Sequence, residues 1–308
     1  MIKSIFIVAH KREKIFFKTI KKLKSCRNYK EFKKLVIFQD ISKKIFNKIK
    51  KTYPEIKVIK THYAKNKSLL YKVNSNTYLG FKTCFENYKS DYVINLEDDI
   101  LPAYDFLKFH NDINLQYIND PKLFAVNSFS KEYKKNFIKK LNINEKFAYS
   151  KFIFGIGNGW SITKNRWPVL KKKFQKIFSS KQNIAYDVFI DKEIKNNYFV
   201  IMPYRSRCFE QASDGMHNKL EMANSIHRID WKKSFLNKKN YKIKDFKYLK
   251  NMKYFWRDDC LNYTFINIFK TKIKHSKHYI LNLLEYLIGQ KKYFLARKYI
   301  KELLTKHL

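Results

Sequence analysis

Residues 5–96 alternate short apolar runs with amphipathic stretches, and this alternation constrains the fold more than any other feature of the chain. Ile5 to Ala9 is an uninterrupted apolar run of strand length. Lys14 to Leu23 then sets Ile15, Phe16, Ile20 and Leu23 at helical spacing. Lys34 to Phe38 reads as a second strand, ending at Gln39-Asp40. Ser42 to Tyr53 reads as a second helix, stopped by Pro54. Ile56 to Ile59 is a short third strand, Ser75 to Tyr88 a third helix, and Asp91 to Leu96 a fourth strand. Strand–helix–strand units close through right-handed crossovers, which predicts an α/β fold with a mostly parallel central sheet and helices on both faces. Such sheets bind ligands beyond the carboxyl ends of their strands. Three of those ends carry polar groups here: His10-Lys11-Arg12, Gln39-Asp40 and Glu97-Asp98-Asp99.

Further along, Pro102 to Tyr117 reads as a helix, Phe124 to Ser128 as a strand, Asp187 to Lys195 as a helix and Tyr198 to Met202 as a strand. Residues 152–163 hold three of the six glycines. From about Ser225 glycine nearly vanishes, and aromatic and basic residues interleave. The expected organisation is an α/β domain over 1–225 and a basic, aromatic-rich helical region over 226–308, ending in a helical hairpin around Gly289. The content of apolar residues, 45%, suffices for a proper core, and five prolines with six glycines leave little for flexible linkers.

The formal charge is +40, from 66 basic against 26 acidic residues. It favours anionic partners: nucleic acid, phospholipid, lipopolysaccharide or a nucleotide diphosphate. The lysines run along the whole chain and accompany much Asn, Ile, Phe and Tyr, a pattern that AT-rich coding produces without selection for any partner. Cys26, Cys84, Cys208 and Cys260 form no C-x-x-C pair and stand at no zinc-ligand spacing, so free thiols in a reducing compartment are expected. The start of the chain does not read as a signal peptide, and no apolar run reaches the length of a spanning helix. The expected location is the cytoplasm, with peripheral contact to an anionic membrane carried by residues 226–308.

Three adjacent carboxylates at a strand end repel one another, and a cation relieves that. Mg²⁺ or Mn²⁺ takes one or two protein carboxylates and fills its other positions with water and phosphate oxygens, which suits a diphosphate leaving group. A solvated acidic turn before Pro102 is the alternative. Acid is scarce in this chain and the cluster closes an apolar strand, which favours the metal.

The residues resemble the inverting GT-A glycosyltransferases, the N-acetylglucosaminyltransferase I group and bacterial family-2-like members among them, over about residues 4 to 220. Phe6-Ile7-Val8-Ala9-His10-Lys11-Arg12, Phe38-Gln39-Asp40, Leu96-Glu97-Asp98-Asp99-Ile100 with Pro102-x-x-Asp105-Phe106, and Asp120-Pro121-Lys122-Leu123-Phe124-Ala125-Val126-Asn127-Ser128 follow the family's landmarks in order. So do Gly157-Asn158-Gly159-Trp160, Trp167-Pro168, Tyr186-Asp187-Val188-Phe189, Arg205-Ser206-Arg207 and Gly215-Met216-His217.

The resemblance implies a hexosyl- or N-acetylhexosaminyltransferase using a nucleotide-sugar, a UDP-sugar foremost, and a glycan or glycolipid acceptor. It implies Asp99 as the metal ligand and Asp187 as the general base. Arg12 and Asp40 would hold the nucleoside, Glu97 and Asp98 would support the metal's water shell and the donor ribose, and His217 would cap the diphosphate from a loop over Ser213 to Asn218. Gly157 and Gly159 would admit a close backbone approach, and Trp160 is a candidate for stacking on a sugar ring or for the core. Two positions depart from the family. Its paired Asp is reduced to Asp187, with Asp191 one helical turn on, and a His before the metal motif is Asn76 here. A catalytically inactive glycan- or partner-binding protein and a basic nucleic-acid-binding protein are the competing readings.

Overall fold

The computed structural model describes residues 1–129, 147–152, 156–180, 185–187, 190, 194, 197–210, 241–242 and 244–248. Asp191, His217 with the Ser213–Asn218 loop, and the hairpin around Gly289 lie outside them.

The opening alternation is realised. Strand β1 (Lys3–His10) leads to helix α1 (Glu13–Lys24), β2 (Phe32–Gln39), α2 (Lys43–Thr52), β3 (Ile56–Thr61), α3 (Leu69–Lys82) and β4 (Tyr92–Glu97). Successive residues of β1 serve opposite faces. Ile5, Ile7 and Ala9 pack in one core with Phe16 and Ile20 of α1, while Phe6 meets Phe81 of α3 edge-on in the other. α3 lies so close over β1 that a Cβ on Gly80 would run into the Phe6 ring. This helix starts six residues before the expected Ser75, because the Ser68 hydroxyl accepts from the Tyr71 N–H at 3.1 Å and caps it earlier. Ser42 caps α2 in the same way, accepting from Ile45 N–H at 3.2 Å.

The remaining elements are β5 (Ile100–Pro102), α4 (Phe106–Gln116), β6 (Leu123–Asn127), β7 (Ala148–Phe152), β8 (Trp160–Thr163), α5 (Trp167–Ser179), β9 (Phe199–Pro203), β10 (Cys208–Glu210) and β11 (Lys247–Tyr248). The helix expected from Pro102 begins only at Phe106, since Pro102 itself pairs with Cys208 in a two-stranded β5–β10 ribbon. Within the region read as helical, Lys247–Tyr248 instead adds an edge strand parallel to β7.

The main sheet has nine strands in the order β11-β7-β9-β6-β8-β4-β1-β2-β3. β1, β2, β3 and β4 are mutually parallel, and β6 and β9 are parallel to each other. β8 runs antiparallel between β4 and β6, and β7 antiparallel to β9. The fold is therefore α/β, with a large mostly parallel sheet flanked by helices. No described helix is long and apolar enough to cross a membrane.

The order β3-β2-β1-β4 reverses direction at β1. α1 and α2 carry the chain outward over one face of the sheet and α3 returns it to β4 over the other. The region beyond the carboxyl ends of β1 and β4 is where an open α/β sheet places its ligand.

Candidate active site

At that switch point, His10-Lys11-Arg12 leaves β1 and Glu97-Asp98-Asp99 leaves β4. Lys11 turns the chain with φ of 53°, which carries the Arg12 guanidinium across to the acidic turn. Arg12 Nη1 donates to Asp99 Oδ2 at 2.8 Å, and Nη2 bonds to Asp98 Oδ1. The turn is fixed from behind as well. Asp98 N–H donates to Val8 O at 3.1 Å, His10 N–H to Asp98 Oδ2 at 3.2 Å, and the Thr19 hydroxyl to Asp98 O at 2.7 Å. Asp98 and Asp99 are buried, 2% and 7% exposed. Burial raises the Asp98 carboxyl to about 6, against the pull of Arg12 and with a push from Asp99. Burial disfavours the Arg12 charge, but Asp98 and Asp99 together hold its pKa above the usual arginine value.

Asp99 Oδ1 is buried and makes no hydrogen bond. An ionised oxygen hidden from water without a donor is costly, and a cation's coordination sphere relieves that cost. Among the described residues, no group of three or more His, Cys, Asp or Glu side chains is arranged to hold a metal. The donor set instead fits an ion held by one or two carboxylates that takes its other oxygens from water and phosphate. Arg12 supplies positive charge to the same two carboxylates.

The neighbouring strand end forms a polar shelf. Asp40 closes β2 in the left-handed region, φ 52°. Its carboxylate meets His62 Nδ1 at 2.6 Å and His10 Nε2 at 3.6 Å, and accepts from Gln39 Nε2 at 3.2 Å. Burial pushes the Asp40 carboxyl up, but the bonds from Gln39 and His62 and the charges of both histidines outweigh it, leaving Asp40 below the ordinary carboxylate range. Asn76, buried in α3, donates to Gln39 Oε1 at 3.2 Å and accepts from Thr61 and Tyr63 hydroxyls at 2.9 and 2.8 Å. Asn76 is thus wired to the Asp40 shelf.

Asp187 is brought to the β4 side through its neighbour. Tyr186 N–H donates to Asn74 Oδ1 at 3.1 Å, and the Tyr186 hydroxyl accepts from Asn95 Nδ2 at 3.4 Å. Asn95 precedes Glu97 by two along β4 and so shares its face. Burial, then the charges of Glu97 and Asp187, drive the Tyr186 phenol far above its usual pKa, so both carboxylates lie within electrostatic reach of one hydroxyl.

β8 enters the same end of the sheet from the opposite direction, with Trp160 paired to both Asn95 and Asn127. Gly159 precedes it at φ 66°, and a Cβ there would meet Ser128 Oγ at 2.6 Å. Asn158 O accepts from Ser128 Oγ at 3.3 Å and from the Cys208 thiol at 3.1 Å, which anchors this loop from below. Trp160 itself is 1% exposed, stacked on Tyr186 and tilted against Phe81, so its ring belongs to the core and not to the crevice surface. Arg207 is likewise fully buried, 3.3 Å from Asp105.

The structure therefore gathers Arg12, Asp98 and Asp99 in direct contact, sets Asp40 on an adjacent strand end, and places Glu97 and Asp187 around Tyr186. His62 and Asn95 were not singled out by sequence, and His10 and Tyr186 entered only as neighbours of Arg12 and Asp187 in the motifs. The period-two alternation of a strand, which sets Asn95 on the face of Glu97, is the signal that could have found Asn95.

No family model matches this chain, and no curated protein does either. Among solved structures, it is similar to the mannosyltransferase PcManGT from Pyrobaculum calidifontis, solved with GDP-Man and Mn2+. That match has 14% identity over 70% of this chain and a TM-score of 0.45, and spans only 58% of the mannosyltransferase chain. It is similar to an active-site mutant of LgtC at 16% identity, over 65% of this chain and 72% of that one, with a TM-score of 0.42. It is similar to S. aureus TarS 1-349 in complex with UDP-GlcNAc at 11% identity, over 93% and 72%, with a TM-score of 0.46. Likenesses this distant carry nothing about the chemistry of the present chain.

Proposed function

We propose that the chain is a metal-dependent GT-A glycosyltransferase, which moves a sugar from a nucleotide-diphosphate donor, a UDP-sugar foremost, to a hydroxyl of a glycan or glycolipid with inversion. The observation that carries this reading is the Asp98–Asp99 turn. Two buried carboxylates at the switch point of a parallel sheet face a long-armed cation, Arg12, and one oxygen, Asp99 Oδ1, has no partner. An incoming cation or donor makes sense of such an arrangement.

In this reading Asp99 holds Mn²⁺ or Mg²⁺, which neutralises charge on the leaving diphosphate. Glu97 and Asp98 support the water shell and the donor ribose. Asp40, with His62 and Gln39 around it, receives the nucleoside, and Arg12 faces the nucleotide from the β1 side. Gly159 lets the backbone come close to the sugar. Asp187 accepts the proton of the acceptor hydroxyl as that oxygen attacks the anomeric carbon. His217 closes over the diphosphate and limits its hydrolysis. Trp160 supports Tyr186, and through it Asp187, from within the core.

A binding protein without catalysis is the second reading, favoured by the single Asp187 where the family has a pair. Calorimetry with uridine, guanosine and cytidine diphosphates, with and without Mn²⁺, tests both. The enzyme reading expects metal-dependent binding that Asp99→Ala abolishes, and donor turnover that Asp187→Asn loses while keeping the binding. Binding without turnover in the wild type selects the second reading, and no nucleotide binding at all rejects the enzyme reading while leaving a protein that binds a glycan or a partner.

A further inference from the structure

The basic charge is unevenly placed. Residues 1–68 hold 21 lysines and arginines against four acids, whereas residues 69–129 hold five against eight. Residues 130–308 hold 40 against 14, so abundance alone does not set the first segment apart; where its lysines stand in the fold does.

Ten of the 21 lie on α1 and α2. In α1, Phe16, Thr19, Ile20 and Leu23 are buried, and Lys14, Lys18 and Lys21 line the opposite side, all exposed. α2 lies beside it on the same face of the sheet. Lys48 bonds Glu13 at 3.0 Å and covers the Phe17 ring at 4.4 Å, while Ile49 turns into the core. Lys44 and Lys51 are exposed on the side away from Ile49. Glu13 is the one acid in either helix, and Lys48 already engages it. The two helices present a broad lysine platform.

We infer that this platform docks the protein onto an anionic lipid bilayer. Of its 21 basic residues, the segment uses lysine 19 times. Lysine is a point charge suited to a field of headgroups, not the bidentate fork that reads nucleic acid. The rings in reach are covered: Lys48 lies over Phe17, and Lys50 and Lys60 lie over Phe46. No exposed aromatic of α1 or α2 is left on which a base could stack, which turns the platform away from single-stranded RNA. The platform ends at Lys11-Arg12, the mouth of the switch-point crevice. A bilayer lying on it would present a lipid-linked acceptor there. That consequence rests on the glycosyltransferase reading, whereas the docking does not.

Flotation of the full chain with vesicles tests the surface. Pure phosphatidylcholine is compared with phosphatidylcholine carrying phosphatidylglycerol, at about 0.15 M salt. Two variants of equal charge change are compared with the wild type. One reverses Lys14, Lys18, Lys21 and Lys51 to Glu. The other reverses Lys122, Lys164, Lys172 and Lys176, exposed residues outside the platform. Each lysine at an anionic surface contributes about fivefold to partitioning, so the platform variant should lose at least about a hundredfold. The control variant should stay within about tenfold of wild type, and high salt should release the wild type. Equal losses in the two variants would reduce the contact to net charge and overturn the platform. Binding of a polyuridylate strand without binding of anionic vesicles would replace lipid by nucleic acid. A cooperative thermal unfolding transition of the platform variant, measured alongside, shows that it is folded and keeps this outcome separate from the fate of the proposed activity.

Discussion

The two halves of the sheet keep their charge in opposite places. From β1 to β3 the buried polar side chains are Ser4, Thr19 and Gln39, none of them acidic or basic, and the lysines stand outside. From β4 to β10 the buried set includes Asp98, Asp99, Asp105, His110, Arg205 and Arg207. A lysine at the surface keeps its hydration and constrains nothing behind it. A buried ion must be paired and held, which fixes its neighbours too. The first half is therefore a surface that can meet a partner, and the second a rigid frame that can hold reacting groups at set positions.

The largest way to break this contrast is at Asp105 and Arg207, both fully buried and 3.3 Å apart. Arg207→Leu leaves Asp105 in the core without its ion-pair partner and should cost about 3–5 kcal/mol, read from urea denaturation. Replacing both residues by apolar ones should cost much less than the single change. A loss below about 1 kcal/mol for Arg207→Leu would mean the second half does not depend on its buried charges.

Arg12 joins the halves, since it reaches from the β1 end to the buried acids of the β4 end. Its side chain is about one-third exposed, so removal should cost less, about 2 kcal/mol for Arg12→Ala without divalent ions. Mn²⁺ should restore part of that loss in a thermal-shift assay, and more in the variant than in wild type, because the guanidinium no longer competes for Asp99. Equal shifts would separate the acidic turn from any cation site.

His110 sharpens the comparison through pH. It is wholly buried on α4, with Nδ1 2.8 Å from Ser161 Oγ, and burial lowers its pKa to about 3. The unfolded chain takes up this proton below the ordinary value of 6.5, while the folded protein resists it down to about 3. The stability contributed by neutral His110 is thus complete above 6.5 and drains as pH falls, with a slope approaching about 1.4 kcal/mol per pH unit. His110→Gln should flatten the stability curve between those values by close to one proton. An unchanged slope would assign the acid sensitivity to other groups.

The first half was also the more legible in sequence, for the same reason. Parallel strands buried on both faces read as unbroken apolar runs, as Ile5 to Ala9 does, and α1 and α2 carry clean helical spacing. β8 was hidden because Ser161, in the middle of a core strand, is polar and satisfied only by His110 and Asn114 from another element. Pro102 read as the start of a helix because its pairing with Cys208 spans a long stretch of chain. In the site, Arg12, Asp40 and the acidic turn stood out as polar strand ends. The links that place Asp187 and Asp40 did not: Asn74 and Asn95 to Tyr186, His62 to Asp40 and Asn76 to Gln39 join residues far apart in the chain. The lysines do run along the chain, as read, but they thin out over residues 69–129, the stretch that carries the acidic turn.

The smallest effect belongs to the surface. Lys48 and Glu13 form an ion pair at 3.0 Å with both side chains more than a third exposed. Water screens this pair, and holding two long side chains together costs entropy, so Lys48→Ala should change stability by no more than about 0.5 kcal/mol. Its ammonium over the Phe17 ring at 4.4 Å adds a cation–π contact of comparable size. Raising the salt should leave the wild type and the variant closer still. A loss comparable to that of Arg207→Leu would show that α1 and α2 are braced by charge after all. The lysine platform would then serve the fold before it served any partner.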